Sequence, residues 1–433
     1  MSTMIGAAGT ALPQLRAHAK AVRRHVPFLF VCYVLAYLDR VNVGFAQLKM
    51  GADLHFSNAV YGLGAGIFFI GYFLLEVPSN LVLRRVGARR WIARIMITWG
   101  IVSSLFMFVD SATSFYVLRF VLGAAEAGFF PGVIYYLTLW FPAPRRARIV
   151  ALFMTAIAVS GIVGGPVSGW ILKDLEQAFG LKGWQWLFLL EGIPSVVVGL
   201  CVLGWLDDDI ASADWLSADE KSALRDEIDA EHGAKESMTL ARALMDPRVL
   251  LMALIYFCIV MGLYGIGFWL PQLIKAAGVT DVLSIGLVTA VPYGVGAVAM
   301  IFAGHSSDRR GERRWHLVVP ALFGAAGVIA SARIGADNTV AAIAALSVGT
   351  AGILAALPLF WSLPTALLSG VAAAGGIALI NSFGNLAGFV SPSMVGMIKD
   401  ATGSTLYGMY ALGACLVLAA ILVLVATRRR KAG

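Results

Sequence analysis

Charge is scarce in this chain. Of its 433 residues 13% are charged and 59% hydrophobic, where a soluble domain carries about 25% charged residues. That excludes an ordinary soluble fold. Cysteine is scarce too. Cys32, Cys201, Cys258 and Cys415 fall in apolar stretches without close pairing or ligand spacing, so they read as small core residues and not as a metal or redox site. The six histidines lie in tails, loops or at the ends of apolar runs. With no H-E-x-x-H, no phosphate-binding glycine loop and no haem-like histidine pair, nothing supports an embedded enzyme, and no cofactor is expected. Strands of about ten residues with alternating polarity, the mark of a membrane barrel, are missing as well. No small-residue cleavage site follows the first apolar run, which therefore reads as a span and not as a removed leader.

Long apolar runs are what the chain does have. About 20 such residues cross a bilayer as a helix. Runs near Phe28–Gln47, Tyr61–Leu83, Trp91–Val109, Phe115–Leu139, Ile149–Leu172 and Gln185–Leu206 precede one polar gap; Val249–Leu270, Leu283–Gly304, Leu317–Ile334, Val340–Trp361, Ala373–Ile398 and Leu406–Thr427 follow it. The expected fold is an all-α membrane protein of about twelve transmembrane helices. The gap, Asp207–Arg248, is acidic and helix-prone and reads as a solvated tether. It divides the chain into a bundle at 1–206, a linker at 207–248 and a bundle at 249–433.

A net charge of +8 suggests nucleic acid until its distribution is read. With twelve spans and the N-terminus inside, short inside segments hold twenty Lys and Arg, clustered at 16–24, 84–94, 145–148, 309–314 and 428–431. The outside segments hold six: Lys49, Lys173, Lys182, Lys275, Arg333 and Lys399. The positive-inside rule then places both termini and the linker in the cytoplasm. The expected location is the cell (inner) membrane.

The halves resemble one another. The stretch from Asn80 to Arg90 matches that from Gly304 to Arg314 at an offset of 224, and Pro166 to Asp174 matches Pro392 to Asp400 at an offset of 226. Two matches at nearly one offset argue for duplication of a six-span unit, with both copies oriented alike.

Between spans eight and nine the chain reads Gly304-xxx-Asp308-Arg309-x-Gly311-x-Arg313-Arg314. This resembles the cytoplasmic loop signature of the major facilitator superfamily, whose first copy here includes Arg85 and Gly87. Tyr37-Leu-Asp39-Arg40-Val-Asn42, Phe69-Ile-Gly71-Tyr72, Glu76-Val-Pro78-Ser79-Asn80, Glu126-Ala-Gly128-Phe129-Phe130-Pro131-Gly132 and Gly183-Trp184-Gln185-Trp186 are similar to the anion:cation symporter family within it. Bacterial carriers of tartrate, phthalate, hydroxyphenylacetate and sugar acids are the nearest in kind. The resemblance implies two six-helix bundles, alternating access, and uptake of an organic anion with protons at residues matching Asp39, Arg40, Arg119 and Glu126. Two departures stand out. Arg84 replaces the acid that Asp308 supplies in the second loop copy. Gly161-xxx-Gly165-Pro166-xx-Gly169 resembles a pattern of the superfamily's exporters, though small residues at this spacing also serve close helix packing.

The residues themselves point the same way. An ionised group at bilayer depth costs roughly 2.5 to 3.5 kcal/mol even on lenient scales, so it marks a function unless paired or facing water. Asp39 and Arg40 are neighbours, point about 100° apart and need different partners. Arg119 and Glu126 share one face of the fourth span, about 10 Å apart. The simplest arrangement sets Arg119 near Asp39 and Glu126 near Arg40. Arginine offers a planar fork for a carboxylate. An acid that loses such a partner in a dry site takes up a proton, so Asp39 and Glu126 are the coupling candidates. Glu76 and Glu191 lie nearer span ends and read as structural. Tyr72 is placed to complete the anion's contacts. The second half holds no charge well inside a span. Its candidates are Tyr264, Trp269, Gln272, Tyr293, Trp361, Ser362, Asn381 and Asn385, the two asparagines one turn apart on one face. The expected partners are a small organic anion, protons and the bilayer, without nucleic acid, and the expected unit is a monomer. An anion exchanger or exporter is the alternative; a non-transporting sensor fits less well, since the linker is a poor output domain.

Overall fold

The computed structural model describes residues 2–232, 246–367 and 371–427, and no strand occurs among them. Helices α1 (Ser2–Val41) and α2 (Val43–Asp53) form the first span and join at Asn42. Helices α3 (Asn58–Val86) and α4 (Ala88–Leu105) follow. Helices α5 (Ala112–Glu126) and α6 (Phe129–Thr138) make the fourth span, and α7 (Ala143–Asp174) and α8 (Gly183–Trp205) complete the first half. Helix α9 (Ala218–His232) lies in the polar gap. The second half runs α10 (Pro247–Ala276), α11 (Val282–Arg310), α12 (Arg314–Ile334), α13 (Thr339–Leu367), α14 (Val371–Thr402) and α15 (Leu406–Ala426).

Ten stretches of the described residues are long and apolar enough to cross a membrane; one of them, Arg314–Pro364, contains both α12 and most of α13. Helix α14, packed on α3 and α10, completes the twelve. Many outward side chains are large and apolar, among them Phe302, Ile301, Val298 and Val77. Lipid is the solvent that such a surface requires.

Local chemistry sets the helix ends. Ser57 accepts from Val60 N, Ser111 from Ser114 N and Asp281 from Ser284 N, each capping the helix that follows. Gly87 (φ 96°) and Gly311 (φ 61°) close α3 and α11 in a backbone region that side chains avoid. They occupy matching places in the two copies of the loop signature.

Two expectations need correction. The fourth span is not a continuous helix: it breaks at Ala127–Gly128, with Gly128 at φ 87°, whereas the first runs on through Asn42, which keeps helical φ and ψ and whose N–H donates to Leu38 O at 2.9 Å. Nor is the start of the linker a solvated tether. Leu216, Leu224 and Ile228 are buried, and α9 packs on α1 with Lys20–Glu220 at 2.8 Å and His18–Glu227 at 2.7 Å. The Lys20 ammonium holds the Glu220 carboxyl below its usual range. His18 and His25, expected in a tail, are buried along α1. Residues 233–245 of the linker and the basic cluster Arg428, Arg429, Arg430 and Lys431 lie outside the described residues.

On the face away from the termini the halves are sealed together. Gly165 and Gly169 of α7 meet Gly286 of α11 so closely that a Cβ on Gly165 would stand 2.6 Å from the Gly286 carbonyl oxygen. The exporter-like glycine pattern therefore serves as a packing seam. Lys173 bonds Asp281 at 2.8 Å across it. At the pseudo-symmetric seam, Asp400 of α14 accepts from Asn58 N (3.1 Å), Asn58 Nδ2 (2.8 Å) and Ala59 N (2.7 Å) at the start of α3. Tyr61 Oη also donates to the Phe268 carbonyl at 2.6 Å.

Candidate functional site

The break after α5 delivers Glu126 to the first span. Arg40 Nη2 donates to Glu126 Oε1, the contact expected from the sequence. The same guanidinium reaches the other half: its Nη1 donates to Tyr264 Oη of α10 at 3.1 Å. Its carbon lies 5.2 Å from the Phe68 ring centre, 5.4 Å from Tyr72 and 6.0 Å from Phe69, so ring faces flank the cation. The Phe69 and Tyr264 rings sit 4.4 Å apart and carry the contact between halves.

Arg119 does not pair with Asp39. It is fully buried and donates to backbone carbonyls of α3, Nε to Gly64 O at 3.2 Å and Nη2 to Ala65 O at 3.1 Å. Phe68 (5.1 Å) and Phe268 (5.8 Å) cover its faces. Its Nη1 has no hydrogen-bond partner among the described residues, and neither has Glu126 Oε2 or Arg40 Nε. The Gly64 and Ala65 carbonyls thus take the guanidinium, a choice that charge pairing alone would not predict.

Asp39 finds neutral donors instead: Trp99 Nε1 at 3.0 Å and Ser103 Oγ at 2.9 Å from α4, and Ser195 Oγ at 2.6 Å from α8. Sequence reasoning missed all three. A tryptophan far from either end of its span, where tryptophan usually sits at the interface, was the available signal.

Glu76, read as structural, lies at the meeting of the halves. Asn381 Nδ2 donates to its Oε1 at 3.3 Å, and Asn385 also reaches it. Tyr72 and Glu76 are one turn apart on α3 (about 6 Å of rise), so the asparagines stand one turn beyond the Arg40 cluster towards the termini. Trp361 stacks edge-on with Tyr256 at 4.9 Å, a ring that packs on α14 at Gly384. Trp269 instead meets Tyr61 (5.1 Å) and Lys399 (5.3 Å), and Gln272 accepts from Lys399, all near the sealed face. Tyr293 packs against Gly161.

The two loop signatures diverge. Asp308 bonds Arg313 of its own loop at 2.6 Å. In the first copy, where Arg84 replaces the acid, Asp208 from the start of the linker bonds Arg89 at 3.0 Å and faces Gly87. Among the described residues no cluster of His, Cys, Asp and Glu suits a metal ion.

An ion-lined centre between two six-helix bundles defines a multi-pass membrane carrier. The Major Facilitator Superfamily pattern matches residues 29–392. NicT of Pseudomonas putida, a protein named for metabolite transport, is 48% identical over 94% of this chain and 93% of its own length. A protein of Agrobacterium vitis named for tartrate transport is 50% identical, covering 96% and 95%. A quinolone resistance transporter of Acinetobacter baumannii is 41% identical, covering 92% of each. Among solved structures, a bacterial homologue of the human lysosomal transporter Spinster superposes with a TM-score of 0.74 at 18% identity, covering 94% of this chain and 96% of that one. The xylose transporter XylE of E. coli gives 0.74 at 13% identity, covering 96% and 99%. The chain belongs to the major facilitator superfamily and is a membrane transporter, not an enzyme.

Proposed function

We propose that this protein takes up a small organic carboxylate together with protons by alternating access, as a monomer of the inner membrane with both termini in the cytoplasm. The observation that carries the reading is Arg40, held at once by Glu126 of one half and Tyr264 of the other. A substrate carboxylate suits the same fork. When it takes Arg40, Glu126 is left without a countercharge in a buried site, and uptake of a proton removes that cost. Anion and proton then enter as a neutral pair, and reorientation no longer drags a bare charge through the seam. Arg119, buried with Nη1 unpartnered, is the second positive group drawing an anion inward. Tyr72, whose ring flanks the Arg40 guanidinium, completes the anion's contacts. Asp39 is the second coupling acid, and Tyr264, Trp361, Asn381 and Asn385 read the rest of the substrate. Arg85, Gly87, Gly304, Asp308, Arg309 and Gly311 act at the cytoplasmic gate. The working division is 1–206, 207–248 and 249–433. Relatives named for tartrate and metabolite transport support an organic acid as cargo; tartrate, phthalate, hydroxyphenylacetate and sugar acids are the candidates.

The test is transport by reconstituted protein. Under an imposed pH gradient, Glu126→Gln is expected to lose accumulation while retaining substrate-for-substrate counterflow, since the amide mimics the protonated acid. If the unmodified carrier exchanges a preloaded anion at full rate and ignores the gradient, symport fails and an anion exchanger takes its place.

A further inference from the structure

Glu191 of α8 is buried, 4% exposed, and the proposed function leaves it unused. Its Oε1 accepts from Ser168 Oγ of α7 at 2.7 Å, while its Oε2 has no partner among the described residues. Asn42, where α1 joins α2 and 2% exposed, lies beside it with neither amide atom in a well-formed hydrogen bond. Both side chains line a small cavity of ≈ 10 Å³, completed by Ser168 and Gly165 of α7 and by Thr289 and Tyr293 of α11. A cavity of that size holds about one water.

The charges around this cavity do not balance. Among the described residues no lysine or arginine lines the cavity: α1, α2, α7, α10 and α11 bring it only apolar groups, hydroxyls and the Asn42 amide, the phenol of Tyr293 among them, and Asp39 of α1, also an acid, shares the α8 face through Ser195. Arg40 is turned towards Glu126, and Arg119 is held by α3 carbonyls. Ser195, one turn beyond Glu191 on α8, donates to Asp39, so one helix face presents both acids' contacts. Two buried carboxylates with no cation between them cannot both stay ionised cheaply. The cavity also lies just inside the α7–α11 glycine seam, so separation of the halves there would wet it.

We propose that Glu191 is a second proton-binding carboxyl, coupled to Asp39 and loaded through the water-sized cavity at Asn42. In the uptake reading this cavity is the outer port through which a proton enters before the seam closes. The proton site itself does not depend on that reading, because it follows from the unbalanced acids alone.

Infrared titration of the purified full chain in lipid nanodiscs tests it without any substrate. The unmodified protein should show a protonated-carboxyl band that Glu191→Gln lacks, and that band should titrate at a different pH in Asp39→Asn. Glu191→Asp, which keeps the acid, should restore a band with a displaced midpoint, so the test survives poor folding of the amide variant. Spectra of Glu191→Gln and unmodified protein that coincide at every pH would overturn the proposal. A Glu191 band indifferent to Asp39→Asn would overturn the coupling. A Glu191 carboxylate that stays ionised and shifts only on adding Na⁺ would assign the cavity to a metal cation instead. Failure of gradient-driven uptake beside a normal Glu191 titration would sink symport and leave this site standing.

Discussion

Among the described residues, the buried carboxylates and guanidiniums of the membrane core (Asp39, Arg40, Glu76, Arg119, Glu126 and Glu191) all belong to helices α1–α8, whereas α10–α15 bring hydroxyls, amides and rings to the same centre. A buried ion pair is costly to part, and the pair formed by Arg40 and Glu126 lies within one bundle. Neutral readers tolerate being pulled away, because a parted amide or hydroxyl finds water. The half that holds the ions can thus remain rigid while the other half approaches, grips and leaves. Arg40 to Tyr264 and Glu76 to Asn381 are contacts of the kind that can part.

If that division is right, damage should be largest on the charged side. Arg40→Lys keeps the charge and loses the fork, and should weaken carboxylate binding on the order of 100-fold, roughly 2 to 3 kcal/mol, in a calorimetric or thermal-shift titration. Unchanged affinity would dissolve the contrast between halves. Tyr264→Phe removes a neutral acceptor from Arg40 and should cost about 1 to 2 kcal/mol, about tenfold. Asn385→Ala should change affinity only a few-fold, within about 1 kcal/mol, but reorder preference among hydroxylated and aromatic acids. A uniform loss across the panel would make Asn385 packing glue. The loop copies sharpen the comparison at lower amplitude. Asp208→Asn breaks a half-exposed pair with Arg89, and at about 0 to 1 kcal/mol should loosen the linker as seen by hydrogen exchange in α9, while Asp308→Asn should leave α9 alone.

The smallest effect is expected at Asp281. Its bond to the Lys173 ammonium, with the Ser284 backbone and hydroxyl, lowers the Asp281 carboxyl from 3.8 to about 2. A lowered folded value means that the stabilisation is complete above the ordinary value and fades as pH falls through about 2. Between mild acid and neutrality this bridge should therefore contribute no pH dependence to closure of the seam. Accessibility of cysteines introduced across α7 and α11 should follow the same pH profile over that range in the unmodified protein and in Asp281→Asn.

Much of this was legible in the sequence, for a physical reason: ions are so costly in lipid that Asp39, Arg40, Arg119 and Glu126 announce themselves by position alone, and apolar length announces the spans. The duplication was legible from Pro166–Asp174 and Pro392–Asp400, whose matching ends prove to be the two sealing points. Partner choice was not. Asp39 collects donors from two helices distant in sequence, and isolated residues such as Ser103 and Ser195 leave no periodic trace. Arg119 is held by carbonyls, which every residue has. The break at Gly128 did leave a signal, a glycine three residues before Pro131 at the start of α6, where proline suits a first turn. An apolar run read only for length passes over it.

The docking of the linker bears on how the chain is made. Asp207 and Asp208 bond Arg24 and Arg89, and Glu220 and Glu227 bond Lys20 and His18, so every one of these clasps joins residues among the first 232. The first bundle can fasten the surface on its N-terminal side before the ribosome has finished α10. A chain truncated after residue 232 and released from the ribosome should already carry the docked α9. Separately expressed halves should assemble only when the break is placed beyond that helix, because a cut at residue 206 strands the clasp on the wrong piece.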